Sequence, residues 1–497
     1  MIEHIDHRNS NEGFKPVPRP SRLAGMIIGV VALWAAVCHA QDLIQAAKDQ
    51  IAKYEGQLEA LAAWCDQEGL SAEAAKTRRW FRQSDSYCLY LPVLPQEEGP
   101  PALPEGTPAK VQQWYTRFWQ LRRQQAAALE ALARRAVRAD RASLAFSLAL
   151  AAIRENPDHP GLRRLLGYQK YQGRWLTLYE IRQLRSNRIW HDKFGWIPRD
   201  HVRRYESGMR YALGQWITAD EDARRHAEIE NGWLIPTEHY LIRTNHSLEA
   251  GVALAGKLER LYRVWRQLFV RYYASEAEVM AMFDARAQPR PAWTPPKHRV
   301  DFYRNREDYL RALKLRFPQV ELSTGFYADG VAHFFAGEGY DDRTLYHEAT
   351  HQLFHESRPV SPLAGRKGNF WIIEGVAMYM ESLRQVEGFY VVGGRDDVRM
   401  RDARFRLLED DFYVPLAEFA TLGMEQLQAD KRIRALYSQA AGLTHFLIHY
   451  DGGRYRDTLV AYLAAVYSGR DGPQTLAQLA GVSLRELDRQ YRDFMSQ

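Results

Sequence analysis

Cysteine is scarce in this chain: three occur in 497 residues, Cys38, Cys65 and Cys88. Neither Cys65 nor Cys88 sits in a motif with a base, which argues against a thiol nucleophile. Long apolar runs are equally scarce. The one clear case, LAGMIIGVVALWAAV at 23–37, has 15 residues, short of the roughly 20 that a membrane span needs. A block of like charge is also missing. The net charge of +6 is spread over interspersed Lys, Arg, Asp and Glu, and no DNA- or RNA-reading motif accompanies it, so no nucleic-acid partner is expected. No strict internal repeat is visible. What is present, 46% hydrophobic and 26% charged residues, is the composition of a soluble globular protein. The length implies two or three domains.

The apolar run follows Arg19 and Arg22 and precedes Cys38-His39-Ala40 and polar Gln41-Asp42. A basic flank, a short apolar stretch and small residues before a polar start form a secretory signal, with cleavage expected after Ala40. The long leader keeps an uncleaved N-terminal anchor open as the alternative. Membrane contact would then be limited to that segment. Either way the protein is expected outside the cytoplasm, as a periplasmic, extracellular or cell-envelope protein. Cys38 would leave with the signal. Cys65 and Cys88 are then a candidate disulfide in an oxidising compartment, or two unrelated buried thiols.

After the signal (1–40), residues 41–165 are expected to be helical, being rich in Ala, Leu, Gln, Arg and Glu in 42–64 and 109–138. The Pro- and Gly-rich stretch 91–108 separates these two runs. Residues 141–168 resemble one tetratricopeptide-type helix pair, with Asp158 placed to cap the second helix and Pro160 in its first turn. A hairpin turning at Gln172-Gly173 opens a connector over 166–234. From 235 to 497 a strand (239–245) leads into a helix with Leu258, Leu261, Tyr262, Trp265, Leu268, Phe269 and Tyr272 on one core-facing stripe. A proline-rich break (285–298), a strand (299–305), a helix, and a strand within STGFYADGVAHFFAG (323–337) come next, and the remainder is mostly helical. Strands first and helices after predict an α+β fold for this part.

The chemistry is concentrated in LYHEATHQLFH, residues 345–355. Residues four apart on a helix share a face about 6 Å apart along the axis. His347 and His351 can therefore face one tetrahedral Zn2+, one per chain, with Glu348 beside them as a base for the attacking water. A catalytic zinc takes a third protein ligand. The HExxHxxGxxH extension fails, because Phe354 and Ser357 stand at its glycine and histidine positions. His355 lies about 12 Å from His347 on a straight helix, too far to share the ion. Glu356 follows the helix too closely and is directed away. Glu374, 23 residues after His351 in FWIIEGVAMYMESL, is the one carboxylate a returning helix would deliver. A glutamate favoured by the helix dipole is the plainer alternative.

HEATH followed by WIIEGVAMYMES resembles the glutamate zincins (gluzincins, peptidase MA-like), including the thermolysin and aminopeptidase N groups. Trp371, Glu374, Gly375 and Glu381 match the third-ligand segment of the latter, with Tyr379 close to it. More narrowly, EHYLIRTN, LGYQKYQGRW and YSQAAGLTHFLIHYDGG are similar to stretches of a bacterial peptidase-MA-like group, over roughly residues 160–497. The resemblance implies a zincin-like domain and zinc-dependent hydrolysis of a peptide or protein substrate. It implies Glu348 as general base and Glu381 orienting a zinc histidine. The oxyanion donor would be a Tyr or His of a later helix, Tyr437 first and His445 as the alternative. A strand beside the zinc helix would pair with extended peptide. GEGY (337–340) is too slight to be an exopeptidase motif, so the expected activity is that of an endopeptidase. Two other readings stay open: a zinc-holding module that binds partners through its N-terminal helices, and a hydrolase of non-peptide amides.

Overall fold

Alanine- and glutamine-rich segments with apolar residues on one stripe pair off as antiparallel helices, and the N-terminal third of the chain is built that way. The computed structural model describes residues 22–80, 85–97, 99–284, 296–338 and 341–497. The leader through Ser21, most of the 285–298 break and the end of GEGY lie outside them, and side chains are described from Asp42 onward. Helices α1 (Arg22–Gln67), α2 (Ser71–Trp80), α3 (Ala109–Arg138) and α4 (Ala142–Glu155) pack together, with α5 (Pro160–Leu165) after them. Among the described residues no helix is long and apolar enough to cross a membrane. The cap of α5 is His159, whose Nδ1 accepts from the Leu162 amide. Asp158, expected in that role, instead accepts from Trp175 Nε1 at 3.0 Å and from the Gly99 amide at 2.7 Å. Its carboxylate is thus spent on tying the following hairpin to the helices.

That hairpin is the first of three. Strands β2 (Tyr168–Tyr171) and β3 (Arg174–Thr177) lead into α6 (Leu178–Arg185). Strands β4 (Arg188–His191) and β5 (Gly195–Pro198) lead into α7 (Val202–Glu206), and β6 (Met209–Ala212) and β7 (Gln215–Thr218) into α8 (Ala219–Arg225). A degenerate repeat therefore exists where none was expected. Trp175, Trp196, Trp216 and Trp233, spaced 21, 20 and 17 residues apart, each follow a nearby glycine and precede Leu or Ile and then Thr, Pro or another Ile. The spacing works physically. Gln172-Gly173 and Leu213-Gly214 adopt positive φ in two-residue turns, which the twist of a hairpin favours. Thr177 and Thr218 then accept from the amides of Glu180 and Glu221 to start the next helix.

The fourth tryptophan opens β8 (Trp233–Pro236), an edge of the central sheet. With β9 (Tyr240–Thr244), β10 (His298–Tyr303), β11 (Gly325–Ala328) and β12 (Val331–Phe335) it makes a five-stranded sheet in the order β11-β12-β10-β9-β8. β9, β10 and β12 are parallel, and both edges are antiparallel. The stretch 323–337, expected to hold one strand, is a hairpin. Asp329 and Gly330 both take positive φ at its turn, so the edge strand is β11 alone. Alternate positions Tyr240, Ile242, Val300, Phe302, Ala332 and Phe334 enter one core with α9 (Leu248–Leu268) and with the motif helix below. The predicted stripe of α9 is buried at Leu258, Leu261, Tyr262 and Trp265, and it continues through Phe269 and Tyr272 into α10 (Val270–Tyr273). Helices α11 (Glu276–Phe283) and α12 (Arg306–Leu313) complete this part.

The remaining chain is mostly helical: α13 (Asp342–Glu356), α14 (Phe370–Met380), α15 (Val398–Leu408), α16 (Leu416–Phe419), α17 (Met424–Ala429), α18 (Ile433–His449), α19 (Arg456–Tyr467), α20 (Thr475–Ala480) and α21 (Leu484–Ser496). The exception is a hairpin of β13 (Arg384–Val386) and β14 (Phe389–Gly393). It is extended by β1 (Cys88–Pro92), which pairs antiparallel with β14. The molecule is α+β, as its sequence implies, and its N-terminal region supplies a strand to the C-terminal half.

Cys65 and Cys88 are free and buried. Cys65 lies in α1 within a cluster that includes Tyr54, Leu58, Trp114 and Phe118. Cys88 opens β1 beside Asp85 and Arg384. The candidate disulfide is therefore corrected to two separate thiols, held in different packing environments.

Candidate metal centre

The motif helix α13 begins at Asp341, whose side chain accepts from the Thr344 amide at 2.7 Å. Leu345, Tyr346, Ala349 and Leu353 bury its inner face, which leaves His347, Glu348 and His351 half-buried on the other. Helix α14 returns against it. Every residue of α14 is buried except Glu374, so the one carboxylate of this apolar helix is directed into the space above α13. Packing behind it is tight. A Cβ on Gly375 would lie 2.3 Å from Thr444 Oγ1 and 2.7 Å from Ala440 O of α18, so glycine lets the two helices approach.

The expected ligands converge. The Nε2 atoms of His347 and His351 are 3.2 Å apart, and the Glu374 carboxylate oxygens lie 3.5 Å and 3.7 Å from them. Two ligands of a tetrahedral zinc, at bonds of about 2.05 Å, are separated by about 3.3 Å. The donor atoms therefore fit one ion, two imidazole nitrogens and one carboxylate being a zinc-type set. Among the described residues this is the one group of His, Cys, Asp or Glu so arranged.

Electrostatics favour a cation there. Burial disfavours a charged His347, yet Glu374 and Glu381 outweigh it and raise this imidazole to about 10. His351 is lowered to about 4, chiefly by desolvation. Burial would raise Glu374, but His347 and His351 hold it below the usual carboxylate range. Glu348 is raised to about 7 by desolvation, with Glu374 and Glu381 adding to the rise and His347 opposing it. Its side chain lies against β11, where a Cβ on Gly325 would be 3.1 Å from Glu348 Cγ.

Glu381, at the end of α14, lies 2.9 Å from His347 Nδ1, where a carboxylate orients a metal-binding imidazole. It is in turn gripped by Arg399 Nε and Nη2, both at 2.9 Å, and by Arg343 Nη2 at 3.0 Å. Despite the cost of burial, His347 and Arg399 lower it to about 2. Neither arginine was among the expected site residues. Arg343 carried a usable signal, since it stands four residues before His347 on the same helical face. Arg399 carried none, because its reach depends on how α15 packs.

Tyr437 of α18 faces Glu374; burial first, and that carboxylate second, push its phenol up. His445 is not brought to the triad. It is fully buried two turns further along α18, with Nδ1 3.0 Å from Ala441 O and its ring on Tyr379. Tyr379 itself lies 3.0 Å from His449 Nε2 in the core. Trp371 is fully buried and packs on Phe419 and Tyr462. His355 is exposed, with its ring against Tyr327 and Tyr467, and it is not among the converging ligands. Glu356 is engaged by His298 and Tyr327, which keeps it from the metal position.

Residues 342–469 match a family described as "Protein of unknown function (DUF1570)". That window contains the triad and Glu348, Glu381, Arg399 and Tyr437. No curated protein and no solved structure matches the chain.

Proposed function

We propose that this protein is an exported zinc-dependent peptidase of the gluzincin type, acting on peptide bonds within chains. The observation that carries the reading is the convergence of His347, His351 and Glu374 within 4.8 Å, with Glu348 on the same helical turn. Zinc held there would polarise the scissile carbonyl and acidify the attacking water. Glu348 takes the proton of that water and delivers it to the leaving amine. Tyr437, opposite Glu374, donates to the developing oxyanion. Glu381 fixes the His347 ring so that Nε2 faces the ion. The edge strand β11, alongside Glu348 and unpaired on its outer side among the described residues, offers backbone groups to an extended peptide. Export rests on the basic-flanked apolar run 23–37 and its small-residue boundary at Ala40.

The test is metal analysis of the purified chain from Gln41 onward, with casein and a peptide library as substrates, beside Glu348→Gln. About one zinc per chain is expected. Glu348→Gln should keep the metal and lose about 10²- to 10⁴-fold in turnover. A wild-type protein that holds zinc and cleaves no peptide would overturn the peptidase reading. It would leave a partner-binding module or a hydrolase of other amides.

A further inference from the structure

Helices α15 and α18 enclose a cleft of about 490 Å³ beside the triad. Its lining includes Tyr437 and Arg399. Tyr437 faces Glu374 and Arg399 grips Glu381, so two residues of the lining connect the cleft to the carboxylates of the metal centre. Farther out it is lined by the half-exposed ring of Phe405, by Ile433, and by Arg406 and Arg434. Two of the three arginines in the lining are paired. Arg399 is matched by Glu381, and Arg406 pairs with Asp410. Asp402 is the one carboxylate in the lining, and it acts on Arg399. Among the described residues Arg434 has no ion pair.

We propose that this cleft is a substrate subsite for a carboxylate flanking the scissile bond, anchored by Arg434. The proposal rests on the peptidase reading of the same site. A planar guanidinium binds a carboxylate through two parallel hydrogen bonds. Phe405 and Ile433 provide the apolar wall that the methylenes of such a residue would cover. A lysine side chain would meet the like charge of Arg434, which has no ion pair among the described residues. An apolar side chain would strip water from Arg434 with nothing in return. Two sources present this chemistry, an acidic side chain and the C-terminus of a peptide.

The experiment uses the metal-loaded protein and peptides of one sequence carrying Glu, Gln, Leu or Lys on either side of the scissile bond. Each is prepared with a free and an amidated C-terminus. Values of kcat/KM are read for wild type, Arg434→Gln and Arg434→Glu. Binding of the same labelled peptides to Glu348→Gln, with and without the Arg434 changes, is read by anisotropy. About a tenfold or larger preference for the carboxylate is expected. Arg434→Gln should bring the Glu peptides down to the level of the Gln peptides, and Arg434→Glu should turn the preference toward Lys. Dependence on amidation instead of the side chain would assign the carboxylate to the C-terminus. Cleavage and binding that ignore peptide charge would overturn the subsite and leave the peptidase reading standing. Charge-selective binding abolished by Arg434→Gln, with no cleavage by wild type, would support Arg434 as a carboxylate anchor but overturn both the peptidase reading and the place of that anchor beside a scissile bond. Neither binding nor cleavage of any peptide would overturn both.

Discussion

His347 is held between two carboxylates, Glu381 at Nδ1 and Glu374 on the Nε2 side. Its imidazole is raised to about 10 without metal, while His351 is lowered to about 4 and Glu374 is kept ionised. Near pH 7.5 the three ligands thus carry a single proton that a metal must displace, the one on His347 Nε2. The sign for stability follows. A histidine raised above its unfolded value of about 6.5 stabilises the metal-free protein fully below that pH, and this contribution is lost as pH rises through about 10. Metal binding is therefore predicted to release at least about one proton per ion between pH 7 and 8, the one on His347. Calorimetry in buffers of different ionisation enthalpy measures it. A binding heat independent of buffer would show that His347 is already neutral in the metal-free protein.

At the scale of elements, the site depends on how closely α14 approaches α18, because one helix carries Glu374 and the other Tyr437. Gly375 sets that distance. A methyl group there meets Thr444 Oγ1 and Ala440 O at separations no real contact sustains, so Gly375→Ala must push the helices apart. Overpacking of this kind costs about 1–3 kcal/mol, and the expected outcome is a lowered denaturant midpoint together with weakened metal affinity. An unchanged midpoint would mean that the helices are not in this contact. Local pattern made these helices readable. Spacing by four gave the histidine face, and a single carboxylate in an apolar stretch gave Glu374. Less was readable where contacts are made by packing between distant segments. Arg399 meets Glu381 only through the placement of α15, and neither thiol announces its separate surroundings. Two local signals were present and missed: Asp329-Gly330, a hairpin dipeptide, and the recurring Gly-Trp-Leu/Ile motif, blurred because Gly195 and Gly232 adjoin Trp196 and Trp233 directly while Arg174 and Gln215 are inserted in the other two copies.

For the whole molecule, the division into an N-terminal helical region and a catalytic part from 235 onward is a proposal about sequence, and the folded chain ties the two together. β1 completes the sheet of β13 and β14. Leu91 and Tyr87 enter the core shared with α14 and α18, and the Tyr87 hydroxyl donates to Phe494 O at 3.2 Å. His449, which holds Tyr379 on its other side, lies 3.1 Å from Ser86 O. Arg141 pairs with Asp457 at 3.2 Å. Removing the first region would uncover the edge of β14 and strip these groups of their partners, at about 0.5–1.5 kcal/mol of net stability for each hydrogen bond lost. Folded domains have only about 5–15 kcal/mol in hand, so losing several such contacts together with the burial of Leu91 and Tyr87 consumes most of it. Residues 235–497 expressed alone are therefore predicted to lack a cooperative unfolding transition and to bind zinc more weakly than the longer chain. Circular dichroism in denaturant and a zinc titration measure both. A fragment that unfolds cooperatively at the parent's midpoint would show that the N-terminal region is an appendage, with β1 contributing nothing to the metal centre's support.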